Sequence, residues 1–216
     1  MERGELQLLH PGIPVVLAPN IVYLPENKPA RRENSPLQLF FLSRIDPKKG
    51  LDILFHALAP LKNLPWKLVI AGETGSAYHQ FLEDLAAQLG LTEKIDWIGW
   101  CFGEDKWRRL AQSDLLVLSS HNENFANVVI ESLAVGTPVV ISDQVGLRAY
   151  VRERELGWVA PPEATAFGAA LQQAMADLGA REKINRLGPG FVAADFKPEK
   201  VVDLYFHHYQ QLLLPR

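Results

Sequence analysis

From residue 37 onward, short apolar runs alternate with longer stretches in which apolar residues recur at helical spacing. Short uninterrupted apolar runs are typical of strands covered on both faces, and the wider spacing is typical of amphipathic helices. The runs predict strands at Leu37–Ser43, Trp66–Ala71, Lys94–Ile98, Leu115–Ser119, Val139–Ser142 and Gly157–Ala160. This alternation predicts an α/β fold with a doubly wound parallel sheet of the Rossmann-like kind.

Helices are predicted between and after these strands. In one of them Phe81, Leu82, Leu85 and Leu89 recur at helical spacing, and Gly90 is expected to end that helix. The predicted helices lie near Gly50–Leu61, Ala77–Leu89, Glu104–Gln112, Asn127–Val135, Leu147–Arg152, Thr165–Leu178 and Pro198–Leu213.

The first 36 residues follow a different pattern. The segment Val15–Asn20 is compatible with a strand, and the polar, proline-containing segment Glu26–Pro36 is typical of a linker. We therefore expect residues 1–36 to be the tail of a preceding domain plus a linker. Residues 37–213 are expected to form one complete domain.

Composition excludes several classes of function. The chain has 216 residues, 48% of them hydrophobic and 22% charged, which is ordinary for a globular domain with a full core. The net charge of -3 gives no basic surface for nucleic acid, and no apolar run has the length of a membrane span. The single cysteine, Cys101, excludes an internal disulfide. We expect a cytoplasmic protein, with the inner face of a membrane as an alternative location.

Polar residues follow the predicted strands at the points where the strands end. They are Arg44, Gly72-Glu73, Gly99, Ser119–Glu123 and Ser142-Asp143. The carboxyl ends of parallel strands meet at one edge of a sheet, and ligands bind in the crevice at that edge. The sequence therefore predicts one ligand site built from several strand ends.

The segment from Glu123 to Glu131 runs from a strand through a tight turn into a helix. The free amides at a helix start suit a phosphate group. The same glutamate spacing recurs at Glu155 and Glu163 around an ordinary turn, so the spacing alone carries little information. The strand, turn and helix context of the first pair predicts a nucleotide-type ligand held by amides and carboxylates.

A second candidate site element follows the first strand. Arg44 and Lys49 flank a proline turn at the start of a helix, and two fixed cations there suit a diphosphate. Lys48 is expected to be solvated. The sequence contains no Asp-x-Asp, no Gly-x-x-x-x-Gly-Lys-Ser/Thr loop and no Gly-x-Gly-x-x-Gly. A diphosphate would therefore depend on Arg44, Lys49 and helix-start amides.

Taken in order, these motifs resemble a known family. Ser-Arg-x4-Lys-Gly, Ala-Gly after the second strand, Ile-Gly after the third, Glu-x7-Glu and Gly-Thr-Pro-Val-Val are similar to the C-terminal half of retaining, metal-independent GT-B glycosyltransferases of family 4. The resemblance covers about residues 37–213. It implies a domain that binds a nucleoside-diphosphate sugar without a cofactor or metal, and a preceding domain that binds the acceptor.

The resemblance also implies roles for individual residues. Arg44 and Lys49 match the diphosphate-binding pair, and Glu131 matches the carboxylate that accepts hydrogen bonds from the ribose. Cys101 matches a backbone contact to the base, and Lys106 is expected to approach that base. Glu123 matches the residue that positions the donor sugar. It acts with the amides of Asn124, Phe125, Ala126 and Asn127, and Asn124 is expected to cap the following helix or adopt a left-handed turn.

A complete two-domain enzyme of this type needs about twice this length. We expect a truncated form, or a half that pairs with another chain or a second copy, with the apolar helix Pro198–Leu213 packing on the absent domain. Two alternatives stay open: another GT-B enzyme, such as a sugar-nucleotide epimerase or a phosphorylase, or a non-catalytic nucleotide sensor or assembly subunit. The base, the sugar, the acceptor and the oligomeric state are not predicted.

Overall fold

The structure is a computed structural model that describes residues 18–25, 29–30 and 34–213. Residues 15–17 of the predicted N-terminal strand lie outside this range, as does part of the predicted linker. Residues 18–20 are described and are not in a strand. The division into a tail, a linker and a domain therefore stays a prediction.

The described residues form one parallel sheet with the strand order β3-β2-β1-β4-β5-β6. The strands are β1 (Leu37–Leu42), β2 (Trp66–Ala71), β3 (Ile95–Trp97), β4 (Leu115–Leu118), β5 (Val139–Ser142) and β6 (Gly157–Ala160). From β1 the chain moves outward to β3 on one side, then returns to β4 on the other side and proceeds to β6. The doubly wound parallel sheet is confirmed, and its topological switch point lies between β1 and β4.

The central strands are buried because helices cover the sheet. Leu39 of β1 lies between Leu68 of β2 and Leu115 of β4, and all three side chains are inaccessible to solvent. The helices are α1 (Leu51–Leu58), α2 (Ala77–Leu89), α3 (Gly103–Gln112), α4 (Asn127–Ala134), α5 (Arg148–Glu153), α6 (Ala164–Ala176), α7 (Leu178–Asp195) and α8 (Pro198–Leu213). Helix α1 packs on α2 and α6, whereas α4 packs on α3 and α7.

The predicted helices are confirmed to within a few residues at each end. Gly90 ends α2 in a left-handed conformation, as expected, and its amide bonds to the carbonyls of Ala86 and Ala87. The predicted helix Gly50–Leu61 is shorter than expected, since α1 ends at Leu58 and a 3-10 turn follows at Ala59–Leu61.

Helix α7 was not predicted at all. It contains Pro189 together with three glycines, and these residues normally interrupt helices. Its buried face nevertheless follows helical spacing through Ile184, Gly188 and Val192. A Cβ on Gly188 would lie 3.1 Å from the carbonyl oxygen of Leu133, so the glycine permits a close crossing of α7 over α4. Tertiary packing therefore outweighs the low helix propensity of this segment.

Arg181 of α7 holds the end of α6. Its side chain is buried, and Nη1 donates hydrogen bonds to the carbonyl oxygens of Ala174 (2.6 Å) and Met175 (2.5 Å). The last carbonyls of a helix have no partner within the helix and carry partial negative charge. The guanidinium therefore satisfies these acceptors where water cannot reach them.

Helix α8 leaves several large apolar side chains exposed, among them Val202, Phe206 and Tyr209. The prediction that they pack on a further domain stays a prediction. No helix within the described residues is long and apolar enough to span a membrane.

Candidate functional site

An open cavity of about 1050 Å³ lies at the carboxyl edge of the sheet, at the switch point between β1 and β4. Parallel α/β sheets place their ligands at this position. The residues that line the cavity are Ala18, Pro19, Asn20, Leu42, Ser43, Arg44, Lys48, Lys49, Asn122, Glu123, Asn124, Phe125, Ala126, Asn127, Val128, Gly146, Leu147 and Phe196. We call this cavity the edge pocket.

The loop after β1 is fixed by hydrogen bonds to the end of β4. The hydroxyl of Ser119 donates to the carbonyl of Gly50 at 2.7 Å, and the amide of His121 donates to the carbonyl of Lys48 at 2.8 Å. Gly50 has a left-handed backbone, and a Cβ there would lie 2.3 Å from the carbonyl oxygen of Ser119. Only glycine therefore fits. These contacts fix the backbone that carries Lys49 beside the pocket.

The loop after β4 is fixed by the loop after β5. The amide of Glu123 donates to the carbonyl of Gln144 at 3.1 Å, and the amide of Gly146 donates to the carbonyl of Glu123 at 2.8 Å. Hydrogen bonds on both sides of Glu123 fix its backbone at the pocket wall.

Helix α4 begins without a side-chain cap. The residue with a left-handed backbone is Ala126, at φ 66°, and the expectation that Asn124 would cap the helix or take that conformation was wrong. An alanine in this region is uncommon, because its Cβ crowds the backbone. The turn therefore places Phe125 and Ala126 on the pocket wall at the cost of local strain.

The edge pocket brings together most of the residues that the sequence singled out. Arg44, Lys49, Glu123 and the turn Asn124–Asn127 all line it. Lys49 is only 8% exposed, and its Nζ forms an ion pair with Oε1 of Glu123. Arg44 is exposed in the pocket and forms no hydrogen bond or ion pair with any described residue. Among the described residues, the site therefore contains a buried cation that is paired with Glu123, and the exposed cation Arg44 that is open to a ligand.

The other predicted residues form a second group that does not line the edge pocket. Nζ of Lys106 lies 2.7 Å from Oε1 of Glu131 and 4.4 Å from the centre of the Trp107 ring. Cys101 is buried beside them, and this burial, with a smaller contribution from Asp105, raises the pKa of its thiol. Helix α4 connects the two groups, because it starts at the edge pocket and carries Glu131 on its second turn.

Some pocket residues were not predicted. Phe196 was missed because α7 was missed, and its ring contacts Phe125 edge to face, with 6.0 Å between ring centres. Gly146 follows β5 by a few residues, at a position where a glycine after a strand could have signalled a close backbone approach. Lys48 was expected to be solvated; it is exposed and also lines the pocket.

Gly72, Glu73 and Gly99 follow β2 and β3 at the same edge of the sheet, but they do not line the edge pocket. The expectation that all the strand ends would share one crevice was therefore too broad. The pocket is confined to the loops after β1, β4 and β5, together with residues 18–20 and Phe196. Nowhere in the described ranges do three or more His, Cys, Asp or Glu residues form a group that could hold a metal ion.

The fold and the pocket define a Rossmann-like domain with an anion-compatible site at its switch point. The sequence model of the family described as "Glycosyl transferases group 1" matches residues 25–189, which is more than half of the chain. The protein therefore belongs to this family of glycosyltransferases.

Individual relatives agree with this assignment. An uncharacterized glycosyltransferase of Methanocaldococcus jannaschii is 34% identical over 150 residues, which are 68% of this chain and 37% of the relative. Sucrose-phosphate synthase from Thermosynechococcus elongatus has a similar structure, with a TM-score of 0.72 at 26% identity over 82% of this chain and 45% of the other.

A structure of Anabaena HepE in complex with UDP and glucose shares the fold, with a TM-score of 0.73 at 21% identity over 82% of this chain and 49% of the other. In each of these three comparisons, the chain spans less than half of the length of the protein it matches.

Proposed function

We propose that this chain is the donor-binding half of a retaining, metal-independent glycosyltransferase of family 4. It would bind a nucleoside-diphosphate sugar, and a further domain or another chain would hold the acceptor. The observation that carries this proposal is the edge pocket, where Arg44, Lys49 and the start of α4 surround a space open to a ligand.

The chemistry of the pocket suits a diphosphate leaving group. When the sugar is transferred, negative charge develops on the diphosphate, and fixed cations and amide dipoles near it stabilise the transition state. Arg44 offers a guanidinium that can hold two oxygens at once, and Lys49 offers an ammonium on a loop fixed by Ser119 and His121. We assign these two cations to the diphosphate.

We assign the sugar, the ribose and the base to residues that lie progressively further from the pocket, from the start of α4 to Glu131 and Lys106. Glu123 and the turn Asn124–Asn127 would position the sugar and the distal phosphate. Glu131 would accept hydrogen bonds from the ribose, since Lys106 occupies one carboxylate oxygen and a carboxylate has several lone pairs. The base would then lie near Lys106 and the backbone of Cys101.

The structure of HepE in complex with UDP and glucose shares this fold, which supports a nucleotide-sugar ligand for the edge pocket. By itself, the chain is expected to bind nucleotide and to transfer little sugar. Positioning of the acceptor supplies a large part of the rate of a two-substrate reaction.

Calorimetric titration of this chain with UDP, GDP and ADP tests the proposal, with Arg44→Ala and Glu131→Ala as variants. Loss of a charged hydrogen-bond partner costs about 1.5–3 kcal/mol, or roughly 10- to 100-fold in affinity. Both variants should weaken the preferred nucleotide by this factor. Arg186→Ala is the matched control, because Arg186 is exposed on α7 and does not line the edge pocket.

The proposal is rejected if no nucleotide binds, or if both variants bind as well as the parent. The chain would then be better described as a non-catalytic relative of the enzyme family.

A further inference from the structure

The edge pocket contains a negative charge where an anionic ligand is expected. Its charged lining residues are Arg44, Lys48, Lys49 and Glu123, so the glutamate opposes three cations. A site that only had to bind phosphate groups would gain from the absence of this carboxylate.

The carboxylate of Glu123 also forms an ion pair with Lys49, the most buried of these three cations. Lys49 is 8% exposed, and its ion pair with Glu123 directs part of its hydrogen-bonding capacity to the protein. The backbone of Glu123 is held by Gln144 and Gly146. The carboxylate therefore stays within reach of Lys49 and of any phosphate that approaches this lysine.

The donor and the product of the proposed reaction differ in charge at this point. In transfer, the bond from the anomeric carbon to the terminal phosphate oxygen breaks and that oxygen keeps the electron pair. The sugar bonds to the acceptor oxygen, whose proton is released. The terminal phosphate of the product carries only the anhydride link to its neighbour, and its second ionisation has a pKa near 6, so at pH 8 the product carries about one more negative charge than the donor.

The two ligands also differ in what they offer a carboxylate. An ionised carboxylate only accepts hydrogen bonds, and sugar hydroxyls donate them. The donor can therefore satisfy Glu123 through its sugar, whereas the product presents a phosphate of the same sign of charge. The interaction with Glu123 is attractive for the donor and repulsive for the product.

We propose that Glu123, held beside Lys49, selects the nucleoside-diphosphate sugar over the nucleoside diphosphate and so promotes product release. This inference rests on the proposed function. It assigns Glu123 a second effect, on the product, in addition to its role in positioning the sugar.

Calorimetric titration of the parent and Glu123→Gln at pH 8 tests the inference. The probes are the preferred nucleoside diphosphate and its glucose conjugate. Glutamine keeps the size of the side chain and removes its charge. The variant should bind the nucleoside diphosphate about tenfold more tightly, in keeping with the usual energy of a charge-assisted contact. It should bind the glucose conjugate no more tightly than the parent does.

The pH dependence separates this charge effect from a change in pocket shape. At pH 5.5 the terminal phosphate is largely protonated to its monoanion, so the gain from Glu123→Gln should shrink for the nucleoside diphosphate. Glu73→Gln is the control for net charge. Glu73 is exposed at the same edge of the sheet, outside the pocket lining, so its variant should bind the nucleoside diphosphate as the parent does.

The inference is overturned if Glu123→Gln binds the nucleoside diphosphate as weakly as the parent or more weakly, or if its gain is the same at both pH values. If Arg44→Ala weakens the nucleotide while Glu123→Gln does not strengthen it, the donor site stands and only this inference fails. If Arg44→Ala and Glu131→Ala are both without effect, the proposed function itself fails.

Discussion

Gly146 and Asn124 lie so close together that a Cβ on Gly146 would be 1.8 Å from the carbonyl oxygen of Asn124. The amide of Gly146 donates to the carbonyl of Glu123, so this contact joins the loop after β5 to the loop that carries the candidate sugar-positioning residue. The geometry of one loop therefore depends on the absence of a side chain in the other.

Gly146→Ala should displace the Glu123 loop and weaken nucleotide binding. A methyl group cannot occupy a space 1.8 Å from a backbone oxygen, so one of the two loops must move. We expect at least about a tenfold loss of affinity and a loss of stability of about 1–3 kcal/mol. Calorimetric titration and thermal unfolding measure the two effects.

Gly190→Ala is the control for Gly146→Ala. Gly190 lies in helix α7, where a Cβ would meet no atom within 4 Å. Alanine at a compatible helical site stabilises a protein by about 0.4–1 kcal/mol. Equal effects of the two substitutions would contradict the steric account of Gly146.

Glu131→Ala should weaken a nucleoside diphosphate but leave inorganic pyrophosphate unaffected. The reason is that Glu131 pairs with Lys106 away from the edge pocket, where only the nucleoside part of the ligand is expected to reach. Competition between pyrophosphate and the preferred nucleotide measures both affinities. Arg44→Ala is the counterpart and should weaken both pyrophosphate and the nucleotide. An equal loss of pyrophosphate affinity in both variants would show that the edge pocket and the Glu131–Lys106 pair are not separate subsites.

Arg181→Ala should destabilise the fold without a specific effect on the ligand. The substitution removes hydrogen bonds from a buried guanidinium to the carbonyls of Ala174 and Met175 and leaves these acceptors unsatisfied. We expect a loss of about 2–4 kcal/mol in the free energy of unfolding. Urea denaturation measures it, and Arg186→Ala, on an exposed position of the same helix, should change stability by less than about 0.5 kcal/mol.

Cys101 should react slowly with iodoacetamide in the folded protein. Burial raises the pKa of its thiol, so less of the reactive thiolate is present at neutral pH than in an unfolded chain. We expect labelling at pH 7.5 to be at least about tenfold slower in buffer than in denaturing urea, as mass spectrometry would show. Comparable rates would contradict the buried position, and Cys101→Ser should remain unlabelled because the chain has no other cysteine.

The same raised pKa gives the sign of a stability change. Below the ordinary pKa of a thiol, both the folded and the unfolded chain hold the proton, and Cys101 has no effect on the pH dependence. Above that value the unfolded chain ionises first, so stability should fall as the pH rises. Cys101→Ser should reduce this alkaline loss, which urea denaturation at pH 8 and pH 10 can measure.

Local patterns predicted most of the fold. Each strand is a short, mostly apolar segment bounded by polar or turn residues, and the predicted bounds of β2, β5 and β6 agree with the structure at both ends. Helix α7 was missed because its glycines and Pro189 oppose a helix locally, while packing on α4 favours it. Contacts between residues that are far apart in sequence decide such a conflict, and the helix preferences of single residues carry no information about those contacts.

The sequence predicted which residues belong to the candidate site, but it did not predict how their side chains pair. Strand ends indicated Arg44, Lys49 and Glu123, because the topology of a parallel sheet places them at one edge. The pairing of Lys49 with Glu123 and of Lys106 with Glu131 depends on loop geometry, and sequence spacing does not specify it. Residue preference allowed Asn124 either to cap α4 or to adopt a left-handed turn, whereas the left-handed residue in the structure is Ala126.

The rim of the edge pocket joins parts of the chain that are distant in sequence. Ala18, Pro19 and Asn20 lie on it together with Phe196, and the hydroxyl of Tyr205 donates to the carbonyl of Pro19 at 3.4 Å. During synthesis, the sheet up to β5 can form before Phe196 and Tyr205 leave the ribosome. The rim cannot be complete until both have emerged. The ability to hold a ligand should therefore be acquired last, after most of the core is in place, and a nascent chain stalled before Phe196 should be folded in large part and still lack a complete binding site.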